Sequence, residues 1–319
     1  MNAALPAPIT GAPIAVALDR AAARLRAAGI EGPRRDARIL LGESLGVGRE
    51  TIVGRPERSV PPDRLVLFDA ALARRCRHEP VSRIIGRREF RSLSLRIDPA
   101  VLDPRPDSET VVDTALELIG ARGQAALRIL DLGTGSGCLM LALLSALPNA
   151  TGVATDVSPA ALLTARENAR ALGLAPRCRF VAAYWAAGLG GRFDIVIANP
   201  PYVRRGDIAR LPREVVDYEP RLALDGGGDG LAAYRTLAPT LADLLAQNGL
   251  VLLEIGAEQA TPVSDLLHAN RLAVTTIRQD LGGYDRCVVA KAATDREKRG
   301  WNEAAGGLRS VRGQAAPLA

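Results

Sequence analysis

The chain contains few of the residues that metal sites and disulfide frameworks require. Its 319 residues include two histidines and four cysteines, and no two cysteines form a Cys-x-x-Cys pair. Zinc ligands are mostly His and Cys at short fixed spacings, and disulfide-bonded folds need many cysteines. The sequence therefore predicts neither a metal site nor disulfides. We expect the thiols to behave as small buried hydrophobic groups: Cys76, Cys138, Cys178 and Cys287.

Long apolar runs and targeting signals are also missing. No apolar run approaches the ~20 residues of a membrane-spanning helix. Residues 1–13 have neither the basic start nor the apolar centre of a secretory signal. With 48% hydrophobic residues, the chain is predicted to be a soluble, cytoplasmic protein of two domains, without membrane contact.

The charge carries little information about partners. The formal net charge is +6, and of the 41 basic residues only Lys291 and Lys298 are lysines, a bias typical of GC-rich genomes. No basic run is interleaved with aromatic residues, as a groove that stacks nucleobases requires. We therefore expect a monomer without direct nucleic-acid binding, and the charge is compatible with an acidic protein partner.

Periodicity and composition divide the chain into five regions. Apolar residues repeat at helical spacing after residue 14, and Gly29 and Gly46 are typical of helix ends. Apolar and polar residues then alternate around Phe90, which predicts a hairpin. The regions are a disordered start (1–13), a helical domain (14–83), a β-hairpin linker (84–100), an α/β domain (101–292) and a disordered tail (293–319).

In the α/β region, apolar strands alternate with helical segments. This alternation is typical of a mostly parallel sheet covered by helices on both faces. Right-handed crossovers place the carboxyl ends of neighbouring strands together, where α/β sheets bind ligands. The expected strands are 128–132, 151–155, 178–182, 193–198, 250–255, 272–278 and 286–291.

A Gly-rich loop follows the first of these strands and precedes a helix. Its residues are Gly133, Thr134, Gly135, Ser136 and Gly137. Glycine allows a sharp turn and the close approach of a ligand. About 20 residues later Asp156 ends the next strand, where a carboxylate accepts hydrogen bonds from ribose hydroxyls. The Gly-x-Gly-x-Gly spacing differs from the dinucleotide fingerprint, so an adenosine-type cofactor without pyrophosphate is favoured.

The most informative segment directly follows the apolar run 193–198. It consists of Asn199, Pro200, Pro201 and Tyr202. Proline fixes its own φ, donates no hydrogen bond and pushes the preceding residue to extended conformations. The Asn199 side chain and the Pro200 carbonyl thus present stiffly held acceptors for the two hydrogens of a planar –NH2 group. The alternative is a simple strand-ending turn.

Together these residues resemble the class I methyltransferases that use S-adenosylmethionine. They are more closely similar to the family of glutamine methyltransferases that act on peptide chain release factors. The similarity extends from about residue 15 to residue 291, and other segments carry it as well. These segments are Gly32-Pro33-Arg34-Arg35-Asp36-Ala37, Gly86-Arg87-Arg88-Glu89-Phe90, Pro104-Arg105-Pro106-Asp107-Ser108-Glu109 and Tyr218-Glu219-Pro220-Arg221.

The resemblance implies a Rossmann-like sheet, mostly parallel with a terminal antiparallel strand, preceded by a small all-α domain that recognises the substrate. It implies methylation of the glutamine amide in the Gly-Gly-Gln motif of class 1 release factors, with S-adenosylmethionine as cofactor. Asn199, Pro200 and Tyr202 are the expected catalytic residues, and Pro201 completes the substrate site.

The resemblance also implies a cofactor site. The loop amides of residues 133–137 hold the methionine part, Asp156 holds the ribose, Trp185 packs on the adenine, and Asn199 faces the cofactor as well. Family members often carry an acidic residue where this chain has Tyr184, which puts a contact to the adenine amino group in doubt.

Several polar residues have competing interpretations. Asp107 or Ser108 is expected to cap the helix that begins near Glu109, with Arg105 and Glu109 near the pocket. Arg34, Arg35 and Asp36 are expected to begin a helix and pair at the surface. For four carboxylates, a solvated or flexible loop is at least as probable as a functional role: Asp217, Glu219, Asp225 and Asp229.

Three other functions are compatible with parts of the pattern. A sister methyltransferase acts on a glutamine of a large-subunit ribosomal protein and shares the Asn-Pro-Pro-Tyr segment. An adenine amino-group methyltransferase acts on the same planar group, but it needs a channel for a flipped base. A non-catalytic binding module would not need the intact glycines, Asp156 and Asn199.

Overall fold

The computed structural model describes residues 11–294. The predictions of disorder for residues 1–10 and 295–319 lie outside the described residues. The chain forms two compact units. The helical unit takes the residues up to Arg88 together with Ile97–Pro99 and Arg210–Glu219, and the sheet unit takes the rest of the described chain.

The helical unit is built from amphipathic helices around one apolar core. Apolar side chains such as Leu25, Leu40 and Phe68 are fully buried in it. The second helix begins with Pro33 at its first position and ends just before Gly46, which has φ 66°. Proline is common at the start of a helix and glycine just past its end, because of their backbone preferences. The helices are α1 (Ile14–Ala27), α2 (Pro33–Leu45), α3 (Arg49–Gly54), α4 (Pro62–Arg75) and α5 (Val81–Ile85).

Residues 210–219 belong to the helical unit although they follow the Asn-Pro-Pro-Tyr segment in sequence. The α/β region of the sequence therefore contributes a segment to the helical unit. Arg75 donates to Asp36 at 2.8 Å and to Glu214 at 2.6 Å. Tyr218 donates its hydroxyl to the Arg77 carbonyl at 2.9 Å. The prediction of a surface pair is thus correct for Arg34 and wrong for Asp36, which is buried.

The expected hairpin is present as a separate two-stranded sheet. Its strands are β1 (Arg87–Phe90) and β2 (Leu93–Arg96). The two turn residues, Arg91 and Ser92, both have positive φ, which matches the twist of a tight hairpin.

The sheet unit contains seven further strands and five helices of eight or more residues within residues 100–294. The strands are β3 (Arg128–Leu132), β4 (Thr151–Asp156), β5 (Cys178–Ala182), β6 (Phe193–Ala198), β7 (Leu245–Glu254), β8 (Leu272–Gln279) and β9 (Asp285–Ala292). The helices are α6 (Glu109–Ile119), α7 (Cys138–Ala146), α8 (Pro159–Ala171), α10 (Ala232–Leu244) and α11 (Ala260–Ala269), while the short α9 (Arg213–Val216) lies in the helical unit.

The seven strands form one sheet in the order β5-β4-β3-β6-β7-β9-β8. All pairs are parallel except those of β9, which runs antiparallel to both neighbours. The predicted mostly parallel sheet with a terminal antiparallel strand is confirmed. Since β3 has β4 on one side and β6 on the other, their carboxyl ends meet at the point where α/β sheets bind ligands.

Both faces of the sheet are buried, which explains the continuous apolar runs of its strands. Leu130, Val196 and Leu253 belong to one core cluster together with residues of α10 and α11. The alternate residues Ile129 and Ile197 are also fully buried, and α6 and α7 contact strands of the same sheet.

Two remaining predictions concern membranes and thiols. Within residues 11–294 no helix is both long enough and apolar enough to cross a bilayer. The four thiols are free, and the prediction that they are buried is correct for Cys287 only. The other three are half-buried, because they sit near helix or strand ends rather than mid-strand.

Candidate functional site

A cavity of about 450 Å³ opens at the carboxyl ends of β3, β4 and β6, entirely within the sheet unit. Known ligand pockets have about this size. Its lining includes most of the predicted site residues: Gly133, Thr134, Gly135, Ser136, Asp156, Trp185, Asn199 and Pro201. Gly137, Pro200 and Tyr202 are not part of the lining surface.

The Gly-rich loop is fixed to the neighbouring strand by its backbone. The amides of Gly133 and Thr134 both donate to the Thr155 carbonyl, at 2.9 and 2.8 Å. Gly133 has φ 73°, and a Cβ there would lie 3.0 Å from the Trp185 ring. Gly135 has positive φ too, but nothing lies within 4 Å of a Cβ at that position. The loop therefore needs glycine at both positions and leaves open space at the second.

Asp156 connects the ends of β3 and β4. Its carboxylate accepts from the backbone amides of Gly135 and Ser158, each at 2.9 Å. An ionised carboxylate has about four acceptor sites, so sites remain for ligand hydroxyls. The side chain is half-buried and lines the cavity, as a residue that binds ribose must.

Asp131 lies under the loop and was not singled out from the sequence. Thr134 Oγ1 donates to Asp131 Oδ2 at 2.6 Å. Burial raises the pKa of Asp131 to about 7, against the lowering effect of the Thr134 hydroxyl. The same principle that selects Asp156, a carboxylate near a strand end, could have indicated Asp131 as well.

The aromatic side chains at the cavity differ in exposure. Trp185 packs on Gly133 and has φ 52°, an uncommon conformation for a bulky residue that often occurs at functional sites. Its indole Nε1 is buried without a hydrogen-bond partner among the described residues. Tyr184 also lines the cavity, but it is exposed.

The Asn-Pro-Pro-Tyr segment follows β6. Asn199 donates from Nδ2 to Ser108 Oγ at 3.3 Å, which leaves its Oδ1 as an acceptor at the cavity. Pro201 lines the cavity and Pro200 is buried. Tyr202 packs against the core, and its hydroxyl lies 3.5 Å from Glu254 Oε1.

Ser108 has a different role from the predicted helix cap. It makes no side-chain capping hydrogen bond to α6, because it belongs to a preceding 3₁₀ turn and its hydroxyl faces Asn199. Arg105 lines the cavity, as expected. Glu109 does not line it and instead accepts from the Arg91 backbone amide at 3.1 Å.

Glu254, at the end of β7, is a buried carboxylate that the sequence analysis missed. It is close to Tyr202 and Ser108, and burial raises its pKa to about 7. Its position at the end of the strand next to β6 was the available signal. Pro104, Ser108 and Pro220 of the motif segments line the cavity too, whereas other lining residues come from segments without a sequence signature, among them Leu222, Ala233 and Thr236.

The four carboxylates with competing interpretations are all paired. Glu219 forms a buried ion pair with Arg83, so the interpretation as a solvated loop residue is wrong for it. Asp217 pairs with Arg213, and Asp225 with Arg205. Asp229 pairs with Arg235 and accepts from the Leu231 amide.

Comparison with known proteins identifies the family. The PrmC N-terminal domain matches residues 16–86, and the methyltransferase small domain matches residues 108–229. The release factor glutamine methyltransferase of Rhodospirillum rubrum is 46% identical over 274 residues, covering 86% of this chain and 83% of that protein. The chain belongs to the release factor glutamine methyltransferase family. The relative from Bradyrhizobium diazoefficiens is 46% identical and covers 89% of this chain and 96% of its own length.

A solved structure supports the fold of this release factor glutamine methyltransferase family member. The hMettl16 catalytic domain, in complex with an RNA hairpin, has a TM-score of 0.51 and 20% identity, covering 70% of this chain and 82% of that one. At this identity the likeness shows the fold alone. The predicted Rossmann-like methyltransferase fold is confirmed.

Membership of the release factor glutamine methyltransferase family makes the chain an S-adenosylmethionine-dependent enzyme. The cavity fits this cofactor in three respects. The loop provides open space at Gly135, Asp156 offers acceptors for two hydroxyls, and the indole Nε1 of Trp185 has no protein partner among the described residues. The amides of Gly133, Thr134, Gly135 and Gly137, which were predicted to hold the methionine part, already donate to acceptors within the protein. The N-terminus of α7 beside the loop still suits a carboxylate, because a helix N-terminus attracts negative charge.

Proposed function

We propose that the protein methylates the side-chain amide nitrogen of the glutamine in the Gly-Gly-Gln motif of class 1 release factors. The observation that carries this proposal is the position of Asn199. Its Nδ2 is occupied by Ser108, so its Oδ1 is the acceptor at a cavity that also contains the Gly-rich loop and Asp156. The names of the relatives support the choice of substrate.

The substrate nitrogen needs help to become a nucleophile. In an amide, its lone pair is delocalised into the carbonyl group. Asn199 Oδ1 and the Pro200 carbonyl would each accept one hydrogen of the –NH2 group, which holds the nitrogen while it becomes pyramidal. Such positioning contributes up to about 10 kcal/mol to catalysis in favourable cases. The same oxygens stabilise the positive charge that develops on nitrogen.

When bound, S-adenosylmethionine would supply a methyl group on a positively charged sulfur. The C–S bond would break as the substrate nitrogen forms the new N–C bond, and the sulfur would keep the electron pair. The Gly-rich loop and Asp156 would orient the cofactor, and Trp185 would pack on its adenine. The substrate nitrogen becomes acidic only after methylation and then loses its proton to water. The reaction therefore needs no general base before transfer. This agrees with the low histidine content of the chain, which has only two histidines.

The proposal also covers recognition of the substrate, the domain boundaries, and the oligomeric state and location of the enzyme. We assign recognition of the release factor to the helical unit, which the PrmC N-terminal domain match covers. The boundaries predicted from the sequence (14–83, 84–100 and 101–292) remain proposals. The enzyme would act as a monomer in the cytoplasm, where translation terminates, without binding nucleic acid itself.

Mass spectrometry of a purified release factor tests this function. The factor is incubated with the protein and S-adenosylmethionine, digested, and its Gly-Gly-Gln peptide is examined for the added mass of one CH2 group. We expect the modification with the wild-type protein and none with Asn199→Ala. Asn149→Ala is the matched control, because Asn149 is exposed and bonds only to the Gln124 carbonyl.

A modified peptide that is lost only in Asn199→Ala supports both substrate and site. Methyl transfer to a ribosomal protein or to RNA in the same assay, with an unmodified release factor, would overturn the substrate and keep the fold. Equal activity of the two variants would overturn the role of Asn199.

A further inference from the structure

The second glycine loop, residues 224–230, pairs with the chain that follows the Asn-Pro-Pro-Tyr segment. The Val203 amide donates to the Leu224 carbonyl at 3.0 Å, and the Val203 carbonyl accepts from the Gly226 amide at 2.8 Å. A Cβ on Gly226 would lie only 2.8 Å from the Pro201 carbonyl oxygen, so this close approach of two backbone segments requires glycine. Four glycines in seven residues are typical of a flexible loop, but this loop is held against the proposed substrate site.

Gln259 joins these two segments through its side-chain amide. Its Nε2 donates to the Tyr202 carbonyl and to the Gly230 carbonyl, both at 3.1 Å. Its Oε1 accepts from the Gly256 amide at 3.0 Å. Gln259 directly precedes α11, and its own carbonyl accepts from the Val263 amide of that helix. The side chain thus starts from a fixed backbone and uses both of its amide hydrogens.

Only one orientation of the Gln259 amide satisfies these partners. A Cβ on Gly230 would lie 2.5 Å from the Tyr202 carbonyl oxygen, so the two backbone segments are in direct contact. The carbonyl oxygens of both residues accept from the same nitrogen. With the amide reversed, its oxygen would face these two acceptors and its –NH2 group would face the Gly256 amide. All three hydrogen bonds would then be lost.

The Asn-Pro-Pro-Tyr segment depends on its two ends for a fixed backbone. Pro200 and Pro201 have no N–H group, so the peptide unit that carries the Pro200 carbonyl cannot donate a hydrogen bond. Before this unit, Ala198 is fixed in the sheet, and after it the Tyr202 carbonyl is held by Gln259. We propose that Gln259 is a positioning residue, which fixes the backbone at Tyr202 and so directs the Pro200 carbonyl toward the substrate –NH2 group. This inference rests on the proposed function.

Steady-state kinetics on the full-length enzyme with a release factor give the first test. Gln259→Glu keeps the shape of the side chain but presents a carboxylate oxygen to two carbonyl oxygens, which repel it. We expect kcat to fall roughly 10- to 100-fold, the effect of a displaced catalytic group. The KM for the release factor and the Kd for S-adenosylmethionine should stay unchanged, since Gln259 does not line the cavity. Gln279→Glu is the matched control, because Gln279 is exposed and bonds to the Asp285 carboxylate at 3.2 Å.

The pH dependence of two variants separates positioning from packing. In Gln259→Glu, protonation gives the carboxyl an O–H group that donates to one of the two carbonyls. The kcat of this variant relative to the wild type should therefore rise as pH decreases. Gln259→Met loses the donors and cannot titrate, so its kcat should be lowered by the same factor at every pH. The titratable neighbours Tyr202, Arg204 and Glu258 are present in both variants and cancel in this comparison. A merely structural role would give both variants a constant ratio.

Hydrogen-exchange mass spectrometry gives a readout that needs no substrate. The amides of Val203 and Gly226 are protected by hydrogen bonds between the two segments that Gln259 joins. In Gln259→Met, the peptides that contain these amides should exchange faster than in the wild type, because local opening becomes easier. The same peptides should exchange at the wild-type rate in Gln279→Glu.

The two measurements together decide the inference. Faster exchange with a lowered kcat in Gln259→Met supports the positioning role. Faster exchange with wild-type kcat would overturn that role, and unchanged exchange would show that Gln259 does not hold the segment. A wild-type enzyme that methylates no release factor would overturn the proposed function, while the exchange rates would still decide whether Gln259 holds the Asn-Pro-Pro-Tyr backbone.

Discussion

Arg83 Nη2 donates to Glu219 Oε2 at 2.6 Å, across 136 residues of sequence, and the side chains are 5% and 0% exposed. Breaking a buried ion pair by removing one charge is costly, because the other charge stays buried. We expect Glu219→Gln to lower the free energy of unfolding by about 3 kcal/mol. Urea denaturation followed by circular dichroism, at constant m-value, measures the effect.

An exposed pair in the same unit is the control for this experiment. Arg34 and Asp19 also lie 2.6 Å apart, but their side chains are 52% and 62% exposed. Asp19→Asn should cost less than about 1 kcal/mol, since water screens the pair. Equal losses for the two variants would show that burial does not determine the strength of the Arg83–Glu219 pair.

The second prediction concerns the close packing of Trp185 on the Gly-rich loop. In Gly133→Ala the new Cβ would lie 3.0 Å from the ring, whereas in Gly135→Ala it would meet nothing within 4 Å. Both variants place alanine at positive φ and should lose roughly 1–2 kcal/mol of stability. Only Gly133→Ala should change the indole bands of the near-UV circular dichroism spectrum. A similar spectral change in both variants would contradict the packing.

The third prediction concerns Asp156 and cofactor affinity. Asp156→Asn replaces one carboxylate oxygen by an –NH2 group, which cannot accept from Gly135 or Ser158 and cannot accept from a ribose hydroxyl. Loss of a charge-assisted hydrogen bond, worth about 1.5–3 kcal/mol, should raise the Kd for S-adenosylmethionine roughly 10- to 100-fold. Isothermal titration calorimetry measures it. The exposed Asp265→Asn should bind as the wild type does, and an unchanged Kd for Asp156→Asn would exclude the ribose contact.

The fourth prediction follows from the raised pKa of Asp131. Burial shifts this pKa from 3.8 to about 7. Between these pH values the folded chain holds a proton that the unfolded chain has released, so the free energy of unfolding decreases as pH rises. Asp131→Asn carries no charge at either pH and still accepts from Thr134.

The stability of Asp131→Asn relative to the wild type should therefore increase from about pH 4 to about pH 7. Urea denaturation of the cofactor-free proteins at several pH values tests this. Glu254, whose pKa is raised in the same direction, contributes its own slope to both proteins and cancels in the difference. Parallel stability curves would mean that Asp131 is already ionised in the folded protein below pH 7.

Much of the sheet unit could be predicted because buried parallel strands are continuous apolar runs whose ends hold the ligand residues. The start of β7 could not. The sequence indicates a strand from residue 250, whereas β7 begins at Leu245. Asn248, with φ 62°, and Gly249 interrupt the apolar pattern there, and the pairing with β6 shifts register.

The hydrogen-bond partners of the polar residues at the site were harder to predict. Ser108 stands where a helix cap is expected, and local sequence gives no sign that its hydroxyl instead meets Asn199, 91 residues away. The packing of residues 210–219 with the helices could not be predicted for the same reason. Contacts such as Arg75–Glu214 join residues far apart in the chain, and the periodicity of the sequence does not indicate such contacts.

That packing sets the order in which the protein can fold on the ribosome. The buried cations Arg75 and Arg83 are made early, but their partners Glu214 and Glu219 emerge only after β6 has been synthesised. At ~5–20 residues per second, the N-terminal helices wait roughly 10 s for these carboxylates. Shortening the gene at residue 99 would remove the carboxylate partner of the buried Arg83 and leave Arg75 with Asp36 alone, so the helical unit is not a module that can be made separately or moved to another enzyme.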